Sequence, residues 1–188
     1  MKFEEKTILL RDGKACLLRS PGPADGAVML EYLRQTAAET PYMLRCPDEV
    51  AMTMKDEVAY LENMLASGSA VMLGAWRDGA LLGSCGLGPV GGGTHRKLRH
   101  RAELGIAVKR AYWGLGVGRS LVEELVVLAP ALGFSQLELG VYAGNERAKL
   151  LYESLGFAQT GRVPNAFRLD DGHFEDEILM CRALKAAI

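Results

Sequence analysis

The stretch AYWGLGVGRSLVEELVVLA, residues 111–129, places Gly114, Gly116 and Gly118 at alternate positions and then runs into apolar residues at helical spacing. Glycines before a helix let the backbone approach a ligand closely. The first-turn amides then point outward with the positive end of the helix dipole behind them. A pyrophosphate suits such a turn, and Arg119 adds a side-chain charge directly after it. An ordinary tight strand–helix link is the plainer reading of the same residues.

Working outward, AELGIAV (102–108) reads as the strand before the turn, SLVEELVVLAPALG (120–133) as the helix after it, and QLELGVY (136–142) as the next strand. Asn145 opens the helix NERAKLLYESLGF, which Gly156 stops. A strand near 157–163, a turn at Asp170-Asp171-Gly172 and a last strand FEDEILMCRAL follow. Upstream, Arg11-Asp12-Gly13-Lys14 and Arg77-Asp78-Gly79 each join two short apolar runs, a strong hairpin signal. ADGAVMLEYLRQTAAE predicts a helix ending near Thr40-Pro41, and Thr53 with Asp56 forms a capping box for the helix MKDEVAYLENMLASG. The stretch TPYMLRCPDEVAM reads as an irregular loop and GGGTHRKLRH as a mobile connection. Strands, helices and a strand–helix–strand unit in this order make one mixed α/β domain over residues 1–188.

The chain has 188 residues, 49% of them hydrophobic and 24% charged, with net charge −1. That size supports a core without staples. The charge balance advertises neither nucleic acid nor anionic membrane as a partner. Cys16, Cys46, Cys85 and Cys181 are scattered without a C-x-x-C pair, so neither a metal site nor a disulfide framework is expected, and a cytoplasmic location suits them. MKFEEKTILL lacks the long apolar run of a signal peptide.

Two ligand classes fit the glycine turn. A dinucleotide is suggested by strand, glycines, helix and then Glu138, twenty residues after Gly118. Against it stand the G-x-G-x-G spacing, five residues (Lys109 to Trp113) between strand and first glycine, and only one clear βαβ unit. Glu138 alternates with Leu137 and Leu139, as on the solvated face of a strand. The second class is acyl-CoA. Residues 102–157 resemble the central motif region of the GNAT superfamily of acyl-CoA-dependent N-acyltransferases. AELGIAV is similar to that family's central strand, and Trp113-Gly114-Leu115-Gly116-Val117-Gly118 to its R/Q-x-x-G-x-G/A turn. Asn145, Ala148, Tyr152, Gly156 and Phe157 match its N-x-x-A-x-x-x-Y-x-x-x-G-F series. Trp113 stands where the family often carries Arg or Gln, a variant that occurs within the superfamily.

The resemblance implies a GNAT fold, a central mixed β-sheet flanked by helices that splays apart after Val108 to admit acetyl-CoA as cosubstrate. Ile106, Ala107 and Val108 would offer backbone hydrogen bonds to the pantetheine arm, as an added strand would. Gly114, Leu115, Gly116, Val117, Gly118 and Arg119 would cradle the pyrophosphate, and Asn145 would contact the CoA arm or act as a plain N-cap. Tyr152 falls on the position of the tyrosine that protonates the departing thiolate; a phenol, with ordinary pKa about 10, is protonated at neutral pH. The attacking amine must lose its proton, and Glu103 is the candidate base. The plain readings are a core tyrosine and a surface glutamate.

His95, His100 and His173 sit in expected loops, and His95-Arg96-Lys97-Leu98-Arg99-His100-Arg101 reads as a solvated basic loop or a 3′-phosphate contact. Cys85, in Gly83-Ser84-Cys85-Gly86, has no motif partner and reads as a small buried strand residue. The implied reaction is acetyl transfer to a primary amine by direct attack, with no metal. The acceptor pocket of the family, about residues 34–54, offers Arg34, Glu39, Tyr42, Arg45, Asp48 and Glu49 here. Arg45 could grip a carboxylate, which fits an amino-acid acceptor; polyamines, aminoglycosides and protein amines stay open. A non-catalytic acyl-CoA sensor on the same fold is the rival class. Homodimers are common in the family, and no residue here marks one.

Overall fold

The computed structural model describes residues 1–184. Among the described residues, eight strands and four α-helices follow one another, beginning with β1 (Lys6–Leu9), β2 (Ala15–Arg19), α1 (Gly26–Glu39), α2 (Met54–Ala66), β3 (Val71–Arg77) and β4 (Ala80–Pro89). Then come β5 (Arg101–Val108), α3 (Val117–Leu128), β6 (Gln136–Tyr142), α4 (Glu146–Ser154), β7 (Ala158–Arg168) and β8 (Phe174–Ala183). The chain divides into two compact units, residues 1–88 with 105–125, and residues 89–104 with 126–184.

In the first unit the strand order is β1-β2-β3-β4-β5, built from hairpins. The Asp-Gly signal at 78–79 is realised as a turn with both residues at positive φ, 51° and 79°, which matches the twist of β3 and β4. Thr53 caps α2 as its spacing predicts: its hydroxyl accepts from the Asp56 amide at 3.2 Å, and Asp56 accepts from the Thr53 amide at 3.1 Å. Both helices shed apolar residues onto the sheet, where Met29, Tyr32, Leu61, Trp76 and Leu81 form one buried cluster. Arg19 pairs bidentately with Asp25 at 2.7 and 2.8 Å and stacks on Trp76.

Helix α3 begins at Val117, three residues before its expected start, because Gly116 already accepts from the Ser120 amide. Gly118 is therefore helical. Of the turn's three glycines, Gly114 (φ 80°) and Gly116 (φ 94°) adopt the left-handed backbone that glycine permits. Pro130 lacks an amide, so the α-helix gives way to a 3-10 turn, Ala129–Leu132, and Gly133 (φ 88°) ends it.

In the second unit the order is β5-β6-β8-β7. Strands β5 and β6 run parallel, and β8 runs antiparallel to both β6 and β7, so the sheet is mixed. The parallel register covers Arg101↔Gln136, Ala102↔Leu137 and Glu103↔Glu138. The parting expected after Val108 thus begins after Glu103, while β6 pairs with β8 along its whole length on its other edge. The connection 90–100 contains two 3-10 turns, Val90–Gly93 and Arg96–Leu98, rather than being structureless. Arg101, the end of the basic run, belongs to β5 and pairs bidentately with Glu138 at 2.5 and 2.6 Å. A carboxylate held this way is not a ribose ligand, which removes the dinucleotide reading of Glu138.

Arg101 holds Glu138, and Arg19 holds Asp25, below the usual carboxylate range. A carboxylate whose folded pKa is depressed stabilises the fold above its unfolded pKa, and that stability is lost as pH falls through the folded value. Melting temperature is therefore expected to be flat from neutral pH down to about pH 5 and to fall below about pH 4. Glu138→Gln should melt lower at pH 7 and show a shallower acid decline. Parallel acid curves for variant and wild type would refute the assignment.

Candidate active site

In the first unit the glycine turn is pinned from behind. The backbone amide of Arg11, at the tip of the β1–β2 hairpin, donates to Leu115 O at 3.0 Å, and its guanidinium reaches Gly114 O at 3.4 Å. Drawing these carbonyls back fixes the turn in the conformation from which α3 starts. The first intrahelical bond at this end runs from the Ser120 amide to Gly116 O, so the amides before it lie at the helix's N-terminal end. The N-terminal end of a helix is the kind of place that suits a phosphate oxygen. A Cβ built at Gly116 meets nothing closer than Arg11 Cγ at 3.8 Å, so the position has room and is glycine for its backbone conformation. Arg119 is half-buried and reaches Glu123 at 3.4 Å. Trp113, standing in for the family's Arg or Gln, donates its indole N–H to Val108 O at 2.7 Å, tying the turn to the end of β5.

Ile106, Ala107 and Val108 are half-buried. Strand alternation turns the peptide groups of Ala107 toward β4 and those of Ile106 and Val108 toward the opposite edge. That edge has left the β6 register after Glu103. The Ala107 carbonyl accepts from the Tyr32 hydroxyl at 2.7 Å. Helix α1 also meets the segment after β5, where the Arg110 amide donates to Glu39 at 2.6 Å. The next face of α1 borders a cavity of about 260 Å³, lined by Leu33, Ala37, Met43, Leu44, Arg45 and Val50. Buried Glu57 lies within electrostatic reach of Arg45; desolvation raises its carboxyl and the guanidinium opposes that rise.

Cys85 is fully enclosed, with its thiol directed at Leu121 O at 3.6 Å. Burial pushes this thiol far up, so no thiolate is available for attack.

In the second unit Glu103 is exposed, on the β5 face that carries Arg101 and opposite Glu138 in the register. Asn145 caps α4, its side-chain oxygen accepting from the Ala148 amide at 3.2 Å. Gly156 (φ 80°) ends the helix, and the Phe157 amide returns to Tyr152 O at 3.0 Å. Tyr152 is buried, its ring edge-on to Phe157 with centroids 5.8 Å apart. The N-x-x-A-x-x-x-Y-x-x-x-G-F spacing therefore has a local structural basis in cap, ring packing and helix stop. Arg11 and Tyr32 were not found by motif reading, since nothing near either residue signals its distant partner.

The Acetyltransferase (GNAT) family profile matches residues 31–157, from Tyr32's helix to Phe157. The ribosomal protein bS18 alanine N-acetyltransferase of Escherichia coli (strain K12) is 41% identical over 75 residues, 40% of this chain and 50% of that one. The chain spans about half the length of the curated relatives it matches. Among solved structures, a GNAT-family acetyltransferase from Streptococcus pneumoniae superposes with TM-score 0.84 and 26% identity, over 90% of this chain and 99% of that one. A phosphinothricin acetyltransferase from Sinorhizobium meliloti, solved with AcCoA, shares the fold at TM-score 0.78 and 22% identity, over 90% and 88%. The mixed sheet, the glycine turn before α3 and the Asn145–Phe157 series thus stand on a matched stretch longer than half the sequence, and the chain belongs to the GNAT family of acetyltransferases.

Proposed function

We propose that this protein transfers an acetyl group from acetyl-CoA to a primary amine of a small molecule. The observation that carries the reading is the turn at 114–116, held by Arg11 through the Gly114 and Leu115 carbonyls directly before α3, whose first amides would then cradle an anion. These residues fit the pyrophosphate of CoA, and the S. meliloti neighbour was solved with that cosubstrate. Ile106 through its peptide groups, and Val108 through its amide because its carbonyl already accepts from the Trp113 indole, would hold the pantetheine arm.

Acetyl-CoA, when bound, supplies an acyl thioester. Glu103 takes a proton from the acceptor ammonium, so that a lone pair is free for attack, and Tyr152 gives one to the departing thiolate sulfur. Holding amine and thioester together contributes roughly 7–11 kcal/mol in favourable cases. The cavity beside α1, apolar except for Arg45, supports an amine that carries an anionic group and a modest apolar side, as an amino acid does. The match to an enzyme of protein alanine makes a peptide N-terminus the second reading.

The test is CoA-thiol release from acetyl-CoA over amino acids, polyamines, aminoglycosides and short peptides. Release with one class of amine is expected. CoA binding without release from any of them would turn the reading toward a sensor, and no CoA binding would end it.

A further inference from the structure

Strands β4 and β5 are antiparallel neighbours, and Lys109 N–H donates to Leu82 O at 2.9 Å. In an antiparallel ladder the next bonded pair lies two residues on along each strand. Ser84 N–H is therefore expected to donate directly to Ala107 O. At this pair stands the Tyr32 hydroxyl, accepting from Ser84 N at 3.0 Å and donating to Ala107 O at 2.7 Å. One oxygen from α1 is thus hydrogen-bonded to both strands at this pair. Between the two pairs the strands are tight, since a Cβ at Gly83 would lie 3.0 Å from both Ala107 O and Val108 Cγ2. The strand is thus held by β4 at Lys109 and by the α1 hydroxyl at Ala107.

Tyr32 itself is rigidly held. Tyr32 is 2% exposed, and its ring is packed among Met29, Leu61, Trp76 and Leu81. Burial raises the phenol well above its ordinary value, so the hydroxyl keeps its proton and always has one to donate.

We propose that Tyr32 is a positioning residue for acetyl transfer: its hydroxyl, bonded to both Ser84 and Ala107, sets the tilt of Ile106–Val108 and hence where the acyl-bearing arm lies. This rests on the acetyl-CoA reading above. A hydroxyl serving only the core has no need to bond both strands, whereas the opposite edge of the held segment is the one assigned to the arm.

The experiment compares wild type with Tyr32→Phe, which keeps the ring and removes the hydroxyl. Titration calorimetry with CoA and with acetyl-CoA is combined with steady-state transfer to the amine that responds in the panel. We expect the Kd for acetyl-CoA to rise about tenfold and kcat/KM for acetyl-CoA to fall ten- to a hundredfold per folded molecule, since a misplacement of about 1 Å can cost a hundredfold. The KM for the amine should stay within about twofold. A variant that melts lower but keeps both acetyl-CoA constants assigns Tyr32 to the core alone and overturns the proposal. Failure of the wild type to bind CoA overturns the acetyl-CoA reading instead. Gly83→Ala crowds the same strands with the hydroxyl retained and carries the test if Tyr32→Phe does not fold. It too should raise the Kd for acetyl-CoA, and an unchanged Kd in a folded Gly83→Ala protein counts against the tilt.

Discussion

Tyr152→Phe is expected to lower kcat by about a hundredfold or more, within the range that a positioned general acid contributes. CoA binding should change by no more than about twofold. The substitution removes only the hydroxyl: the ring that packs edge-on to Phe157 remains, and so does the carbonyl that accepts from the Phe157 amide. The melting temperature is expected to move by only a few degrees. The reason for the large kinetic effect is that a thiolate leaving without a proton must carry its charge into a poorly solvated site. Stopped-flow thiol detection with calorimetry on the same preparation separates the two quantities. Retained turnover would return Tyr152 to the plain reading of a core tyrosine. Loss of CoA binding together with turnover would make it a structural residue of the site.

Gly116→Val should weaken CoA binding ten- to a hundredfold. At φ 94° a β-branched residue is a genuine outlier, and left-handed backbone costs a non-glycine residue roughly 1–2 kcal/mol even before its branching is counted. Space is not the difficulty, because the nearest atom to a new Cβ is Arg11 Cγ at 3.8 Å. The turn relieves its strain by rotating peptide planes, and rotation breaks the Arg11 bonds that hold the Gly114 and Leu115 carbonyls back. The amides at the start of α3 then no longer converge. Pantetheine, which lacks the pyrophosphate, provides the control: its affinity should be unchanged in the variant. Equal weakening of CoA and pantetheine would mean that the substitution disturbs β5 rather than the cradle.

Local signals predicted local structure well. The Asp-Gly turns, the Thr53–Asp56 box, the Asn145 cap and the Gly156 stop are each made by residues within a few positions of one another, and each formed as expected. The site is less local. The glycine turn announced itself, yet only two of its three glycines use their freedom, because the helix starts early enough to absorb Gly118. What holds that turn is Arg11, 103 residues from Gly114, and what bonds β5 from α1 is Tyr32, 75 residues from Ala107. In sequence Arg11 is a hairpin residue and Tyr32 a helix-face aromatic, and composition or periodicity says no more than that.

Sequence alone determined which segments are strands and helices, where they begin and end to within a few residues, and that a glycine turn similar to that of the GNAT family lies between β5 and α3. Periodicity, caps and turn chemistry are properties of neighbouring residues. Tertiary structure decided where β5 leaves β6, which hydroxyl bonds both β4 and β5, and that Glu138 is occupied by Arg101. Those outcomes depend on which backbone donors and acceptors remain unpaired once the sheet is assembled, and a buried polar group takes whatever partner the fold brings within reach.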